Sequence, residues 1–82
     1  MMRFDREQLE TLAAVVDAGT FDAAARVLSV TPSAISQRVK AFERELGRVL
    51  VVRSKPVRAT ASGAALIRLA RQLALLEHDA VE

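Results

Sequence analysis

Thr31-Pro32 restricts this chain more than any other pair of residues, because it fixes where a helix must begin. A threonine hydroxyl accepts one of the unpaired N–H groups of a first turn, and proline suits the first helical position, where no N–H is needed. Ile35, Val39, Phe42 and Leu46 then recur at four, three and four residues, which puts all four on one buried face of a helix that Gly47 closes. Ser33, Ser36, Gln37 and Lys40 point elsewhere.

Two more helices are expected before it. Asp5, with Gln8 three residues on, has the form of a capping box and opens a first helix from Asp5 to Ala18, with Leu9, Leu12, Ala13 and Val16 as its apolar stripe and Gly19 as its left-handed end. Phe21 reads as a core anchor, and Asp22 as the cap of a short second helix from Ala23 to about Leu28. Its alanines, Ala24 and Ala25, let two helices cross closely. Ser29 and Val30 make a tight turn into Thr31, so the second and third helices are joined by about three residues, as in a helix-turn-helix.

Past Gly47 the pattern changes. A β-branched run, Val49-Leu50-Val51-Val52-Arg53, is followed by the breaker Ser54-Lys55-Pro56 and by Val57-Arg58-Ala59-Thr60, which predicts two strands around a tip. A hairpin in that place is a wing. Thr60 then caps a fourth helix of about 33 Å, with Gly63 where the helix starts beside the wing. Leu66, Leu69, Leu73 and Leu76 recur along it at three, four and three residues, flanked by Ile67, Ala70, Ala74 and Leu75. That is more apolar surface than a small core can use, so the heptad-like spacing favours a second copy of the same helix and a homodimer, while the first half of the helix docks on helix one. Glu77, Asp79 and Glu82 on the polar face speak against a membrane-surface helix. The expected fold is mainly α: a winged helix-turn-helix over residues 1–59 and a linker and dimerisation helix over residues 60–82.

Composition narrows the function. With no cysteine, disulfide staples and thiolate chemistry are excluded. Met1-Met2-Arg3-Phe4-Asp5 turns charged at once, unlike a signal peptide, and Arg68 and Arg71 interrupt the longest apolar stretch, so a soluble cytoplasmic protein is expected. His78 is the only histidine, with no tyrosine or tryptophan to accompany it. No Ser-His-Asp set, metal cluster or phosphate loop can be assembled, which predicts neither a catalytic nor a metal site and no enzyme.

The net charge of +2 hides an asymmetry. Residues 26–58 hold eight cations (Arg26, Arg38, Lys40, Arg44, Arg48, Arg53, Lys55, Arg58) against Glu43 and Glu45, a net +6, while the rest of the chain is at −4. A concentrated basic segment that coincides with a helix-turn-helix pattern points to double-stranded DNA as partner. Base edges are read from the first turns of the inserted helix, which makes Pro32, Ser33, Ser36 and Gln37 the candidate base contacts. Short serines let the helix sit deep, Gln37 suits a bidentate pair with adenine, and Pro32 offers an apolar contact; Ser33 as a locally bonded helix-start residue and Gln37 as a solvated one are the plain alternatives. Thr31, Arg38, Lys40, Arg53, Lys55 and Arg58 are the candidate backbone and wing contacts, with Arg53 also placed to enter the minor groove. Arg44 and Arg48 have acids nearby and read as balancing them.

Several segments resemble the N-terminal domain of LysR-type transcriptional regulators: FDAAARVL from Phe21, TPSAISQRVKAFE from Thr31, Glu45-Leu46-Gly47, and a wing that ends in Thr60-Ala61-Ser62-Gly63. Ser36-Gln37-Arg38-Val39-Lys40 and Val52-Arg53-Ser54-Lys55-Pro56 look most like the branch that activates lysine and arginine exporters. The resemblance implies a linker helix that pairs antiparallel across a dimer, assembly into tetramers, and a larger effector-binding domain, absent from this chain, whose effector would be lysine or arginine. The family's usual recognition helix carries Gln-Pro near its start and Arg after the second Ser, where this chain has Pro32-Ser33 and Gln37. The competing reading is a winged-helix module that uses the third helix or the wing against protein.

Overall fold

Four helices and a two-stranded hairpin follow one another as α1 (Arg6–Ala18), α2 (Phe21–Leu28), α3 (Pro32–Leu46), β1 (Val51–Val52), β2 (Arg58–Ala59) and α4 (Ala61–Val81). The structure, a computed structural model, describes residues 5–81, so the reading of Met1-Met2-Arg3-Phe4 and the contribution of Glu82 lie outside the described residues. Among the described residues no helix is long and apolar enough to cross a membrane.

A short polar side chain opens every helix. Thr31 accepts the Ala34 N–H at 3.0 Å with Pro32 in the first turn, as the sequence predicts. Thr60 accepts the Gly63 N–H at 3.1 Å at the start of α4. One expected cap is corrected, and one keeps its residue, Asp5, without the reciprocal half of its box. Thr20, extended at φ −140° and ψ 156°, accepts the Ala23 N–H at 3.0 Å, so α2 starts at Phe21 and Asp22 falls inside the first turn, where its charge faces the positive helix end. At α1, Asp5 accepts the Glu7 N–H at 2.9 Å, and the capping box does not close because Gln8 reaches instead to the Glu45 carboxylate on α3 at 3.5 Å.

The turn between α2 and α3 is short because Ser29 adopts the left-handed conformation at φ 57° and the Val30 N–H folds back to the Ala25 carbonyl at 3.0 Å. Gly19 ends α1 in the same region at φ 84°, donating its N–H to the Val15 carbonyl. Both turns hold α2 across its neighbours, and Ala24 and Ala25 are buried at the crossing.

The wing is shorter than its β-branched run suggests: Val51 pairs with Ala59 and Val52 with Arg58, antiparallel, and no further. Leu50 is withheld from the ladder on its amide side, since its N–H goes to the Glu43 carboxylate at 2.8 Å. The Leu50 carbonyl accepts the Thr60 N–H at 3.0 Å, and the Thr60 hydroxyl donates to the Val49 carbonyl at 2.7 Å, so Thr60 joins the wing to α4.

One apolar core collects all of these elements. Leu9, Leu12 and Val15 from α1 meet Ile35, Val39 and Phe42 from α3, Leu50, Val51 and Val57 from the wing, and Ile67 from α4. Phe21 packs against this core while remaining half-buried. Ile67, expected at the edge of the leucine stripe, is the α4 side chain that goes fully inside. Leu66, Leu69 and Leu73 pack partly against the same core, whereas Leu75 and Leu76 stay 63% and 65% exposed. Arg71 pairs with Asp17 at 2.8 Å and Arg6 with Glu77, so α4 is tied to both ends of α1 and runs antiparallel to it. Exposed pairs of this kind add little stability, on the order of 0.2–1 kcal/mol each, but they set a direction.

Candidate nucleic-acid interface

The buried stripe of α3 decides what its outer side presents. At about 100° per residue, Ser33, Gln37, Lys40 and Arg44 form a row opposite Ile35, Val39, Phe42 and Leu46, with Pro32 and Ser36 beside it. Pro32, Ser33, Gln37, Lys40 and Arg44 are exposed and Ser36 is half-buried, so the first two turns offer a narrow surface of small groups and a side-chain amide, and the two cations follow in the next turns. The Thr31 hydroxyl oxygen is taken by the Ala34 N–H, which leaves its proton to donate outward.

Arg38 stands apart from that row. Its position turns it toward α1, where the guanidinium pairs with Glu7 at 3.1 Å and keeps 30% of its surface. A phosphate contact by Arg38 therefore requires exchanging a carboxylate partner. Arg44 and Arg48 reverse the sequence expectation in the opposite sense. The acids that would have balanced them are otherwise engaged: Glu43 turns to the Leu50 N–H at 2.8 Å, and Glu45 faces the Gln8 amide at 3.5 Å. Arg44 and Arg48 form no ion pair among the described residues, and with Lys40 they border a shallow depression of about 330 Å³ that also involves Gly47 and Val49. The four-residue spacing from Lys40 to Arg44 to Arg48 is the sequence signal for these cations, and the neighbouring glutamates mask it.

The wing carries a second group of cations. Its outer end is held to the α1–α2 turn by the Val57 N–H, which donates to the Gly19 carbonyl at 2.8 Å, and its tip is closed by the Ser54 hydroxyl, which donates to the Pro56 carbonyl at 2.7 Å. Arg53 lies over the Phe21 ring, its guanidinium carbon 4.6 Å from the centroid. Arg26, Arg53 and Lys55 surround a concavity of about 480 Å³ between the start of α2 and the wing. Asp22 lines the same concavity, yet it forms no ion pair with any of them. Arg58 is exposed on β2. Of the eight cations between residues 26 and 58, Arg38 alone is drawn into an ion pair among the described residues. No group of three metal-ligating side chains comes together among the described residues.

Unpaired cations around a helix whose first turns are small and polar suit a rod of phosphates with readable edges in its groove. Known proteins are similar to this chain in sequence and fold. Residues 6–64 match the family described as "Bacterial regulatory helix-turn-helix protein, lysR family". The HTH-type transcriptional regulator LysG of Mycobacterium tuberculosis is 60% identical over 79 residues, covering 96% of this chain and 26% of that protein. The lysine export transcriptional regulatory protein LysG of Corynebacterium glutamicum is 50% identical over 72 residues, covering 88% of this chain and 25% of that protein. The structure of full-length LysG from the same organism with bound effector Arg superposes with a TM-score of 0.90 at 45% identity, over 94% of this chain and 27% of that one. The CbnR DNA-binding domain in complex with DNA superposes with a TM-score of 0.83 at 35% identity, over 94% of this chain and 90% of that one. The chain thus spans about a quarter of the length of the curated relatives it matches.

Proposed function

Because this chain belongs to the LysR family of bacterial helix-turn-helix regulators, we propose that it is a sequence-specific DNA-binding unit of a transcription regulator for basic amino acid export. The observation that carries the reading is the α3 row Ser33, Gln37, Lys40 and Arg44, which ends in two cations that form no ion pair among the described residues. The DNA complex of the CbnR domain and the lysine export role in the name of the C. glutamicum relative support it. Pro32, Ser33, Ser36 and Gln37 face the base edges; Thr31, Lys40, Arg53, Lys55 and Arg58, joined by Arg44 and Arg48, follow the backbone, and Arg38 joins them once it leaves Glu7. Residues 1–59 act as the reading unit and residues 60–82 as the linker. A regulator of the relatives' length has room for an effector-binding portion with lysine or arginine as effector, a reading supported by the arginine-bound LysG structure and by the lysine export role in the name of the C. glutamicum relative. Such a protein works in the cytoplasm, where the duplex is.

Selection from a random duplex pool tests this reading. Enrichment of an inverted repeat is expected, and a pool indistinguishable from its input would overturn the proposal in favour of a protein-interaction module. Two substitutions then divide reading from positioning. Gln37→Ala is expected to cost about 1–3 kcal/mol on the selected site and little on random duplex, relaxing preference at one base pair. Arg53→Ala is expected to weaken binding to every sequence alike. Equal losses for Gln37→Ala on both duplexes would remove it from the base-reading set.

An inverted repeat calls for a two-fold dimer, and the α4 surface is suited to one. Leu66, Leu69 and Leu73 are shared between the chain's own core and that surface, while Leu76, with Leu75, is mostly exposed. Leu76→Glu is expected to give a monomer in sedimentation without loss of helix content; an unchanged mass would argue against α4 as the pairing surface.

A further inference from the structure

The contact between Arg53 and Phe21 joins the wing to the helix-turn-helix through two side chains that the sequence places 32 residues apart. A guanidinium has two kinds of surface. Its flat face interacts with a π cloud, while its five N–H groups radiate from the edge, in the plane. With its carbon 4.6 Å from the ring centroid, the Arg53 guanidinium lies over Phe21. Among the described residues no acid pairs with this guanidinium: Asp22, the nearest acid in sequence to the ring, forms no ion pair with it. Phe21 itself is fixed from behind, half-buried in the first turn of α2 and packed against the core. The wing is fixed independently by the Val57 N–H on the Gly19 carbonyl at 2.8 Å.

From these observations we infer that Phe21 is a positioning residue for DNA binding: its ring holds the Arg53 guanidinium in place, so that its N–H groups remain to donate when a duplex arrives. The inference rests on the DNA-binding reading above. Phe21 touches no nucleotide in this scheme. Arginine side chains lose rotamer freedom when they bind, and a side chain already held in place loses less, so the ring contributes to affinity through the free state. The same contact explains why an aromatic side chain remains half-exposed at a helix start, where a leucine would satisfy the core.

A double-mutant cycle tests it. An exposed cation–π contact corresponds to about a two- to fivefold change in an equilibrium constant. Phe21→Leu, which keeps an apolar side chain against the core, is expected to weaken duplex binding by that factor, to leave the slope of affinity against salt unchanged, and to cause no further loss in an Arg53→Ala background. Phe21→Tyr, which keeps the ring, is expected to bind like the parent chain. Ring-current shifts on the Arg53 side-chain protons report the contact without DNA, and they are expected to vanish in Phe21→Leu and persist in Phe21→Tyr. If thermal melting shows Phe21→Leu to be unfolded, Phe21→Met replaces it in the cycle. A parent chain that binds duplex while Phe21→Leu binds equally well, or while its loss adds to that of Arg53→Ala, overturns the inference alone. A parent chain that binds no duplex overturns the DNA-binding reading, and this inference with it.

Discussion

Duplex affinity is expected to fall about a thousandfold between 50 and 200 mM salt, the largest single effect that this surface implies. Each phosphate neutralised by a cation releases condensed counterions, and the logarithm of the binding constant declines against that of salt with a slope of about −0.9 per contact. Arg26, Lys40, Arg44, Arg48, Arg53, Lys55 and Arg58 form no ion pair among the described residues, so their charge is available without first breaking an internal contact. If about three of them engage in each protomer, a dimer makes about six contacts and the slope lies near −5. Lys55→Ala is expected to flatten it by nearly one unit per protomer, whereas Arg38→Ala, which removes a cation already held by Glu7, should change it less. Titration of a promoter fragment at several salt concentrations measures both. A flat line would mean that phosphates are not the partner, and would favour protein.

Gly63→Ala is expected to destabilise the fold by about 3 kcal/mol or more, read as a drop in the urea midpoint. The sign is the informative part. Inside a helix, alanine in place of glycine ordinarily stabilises by about 1 kcal/mol. Here a β-carbon would overlap the Leu50 carbonyl oxygen and come within 3.0 Å of the carbonyl carbon. Both atoms are backbone, held by the Thr60 N–H on one side and by the Glu43 carboxylate on the Leu50 amide on the other, so neither can swing away. The first turn of α4 would have to lift off the wing, and Ile67, one turn on, would leave the core with it. Ala65→Gly, at an exposed position of the same helix, is the control and should cost no more than about 1 kcal/mol. A Gly63→Ala chain as stable as the parent would refute the close approach of α4 to the wing.

Much of the architecture is written within single turns of chain. The start of α3 at Thr31-Pro32, its end at Gly47, the end of α1 at Gly19 and the cap of α4 at Thr60 depend on groups no more than four residues apart, so the sequence states them directly. The buried stripe of α3 and the exposure of Gln37 and Lys40 follow from helical spacing in the same way. Even the misplaced start of α2 was a choice between two capping residues two positions apart, Thr20 and Asp22.

The assignment of individual charges was not local, and tertiary structure decided it. Glu43 is 7 residues from the amide it accepts, Gln8 is 37 residues from Glu45, and Arg71 is 54 residues from Asp17. Sequence proximity suggested that Glu43 and Glu45 neutralise Arg44 and Arg48 and leave Arg38 available; folding brought Glu7 to Arg38 and turned both glutamates elsewhere. Likewise Ile67, and not a member of the leucine repeat, is the α4 side chain that is buried outright, on a helix that Gly63 brings against the Leu50 backbone. Helix ends and faces depend on interactions along the chain, which a sequence displays. Which cations remain for a partner depends on which acids the fold brings near them, and that is a property of the packed molecule alone.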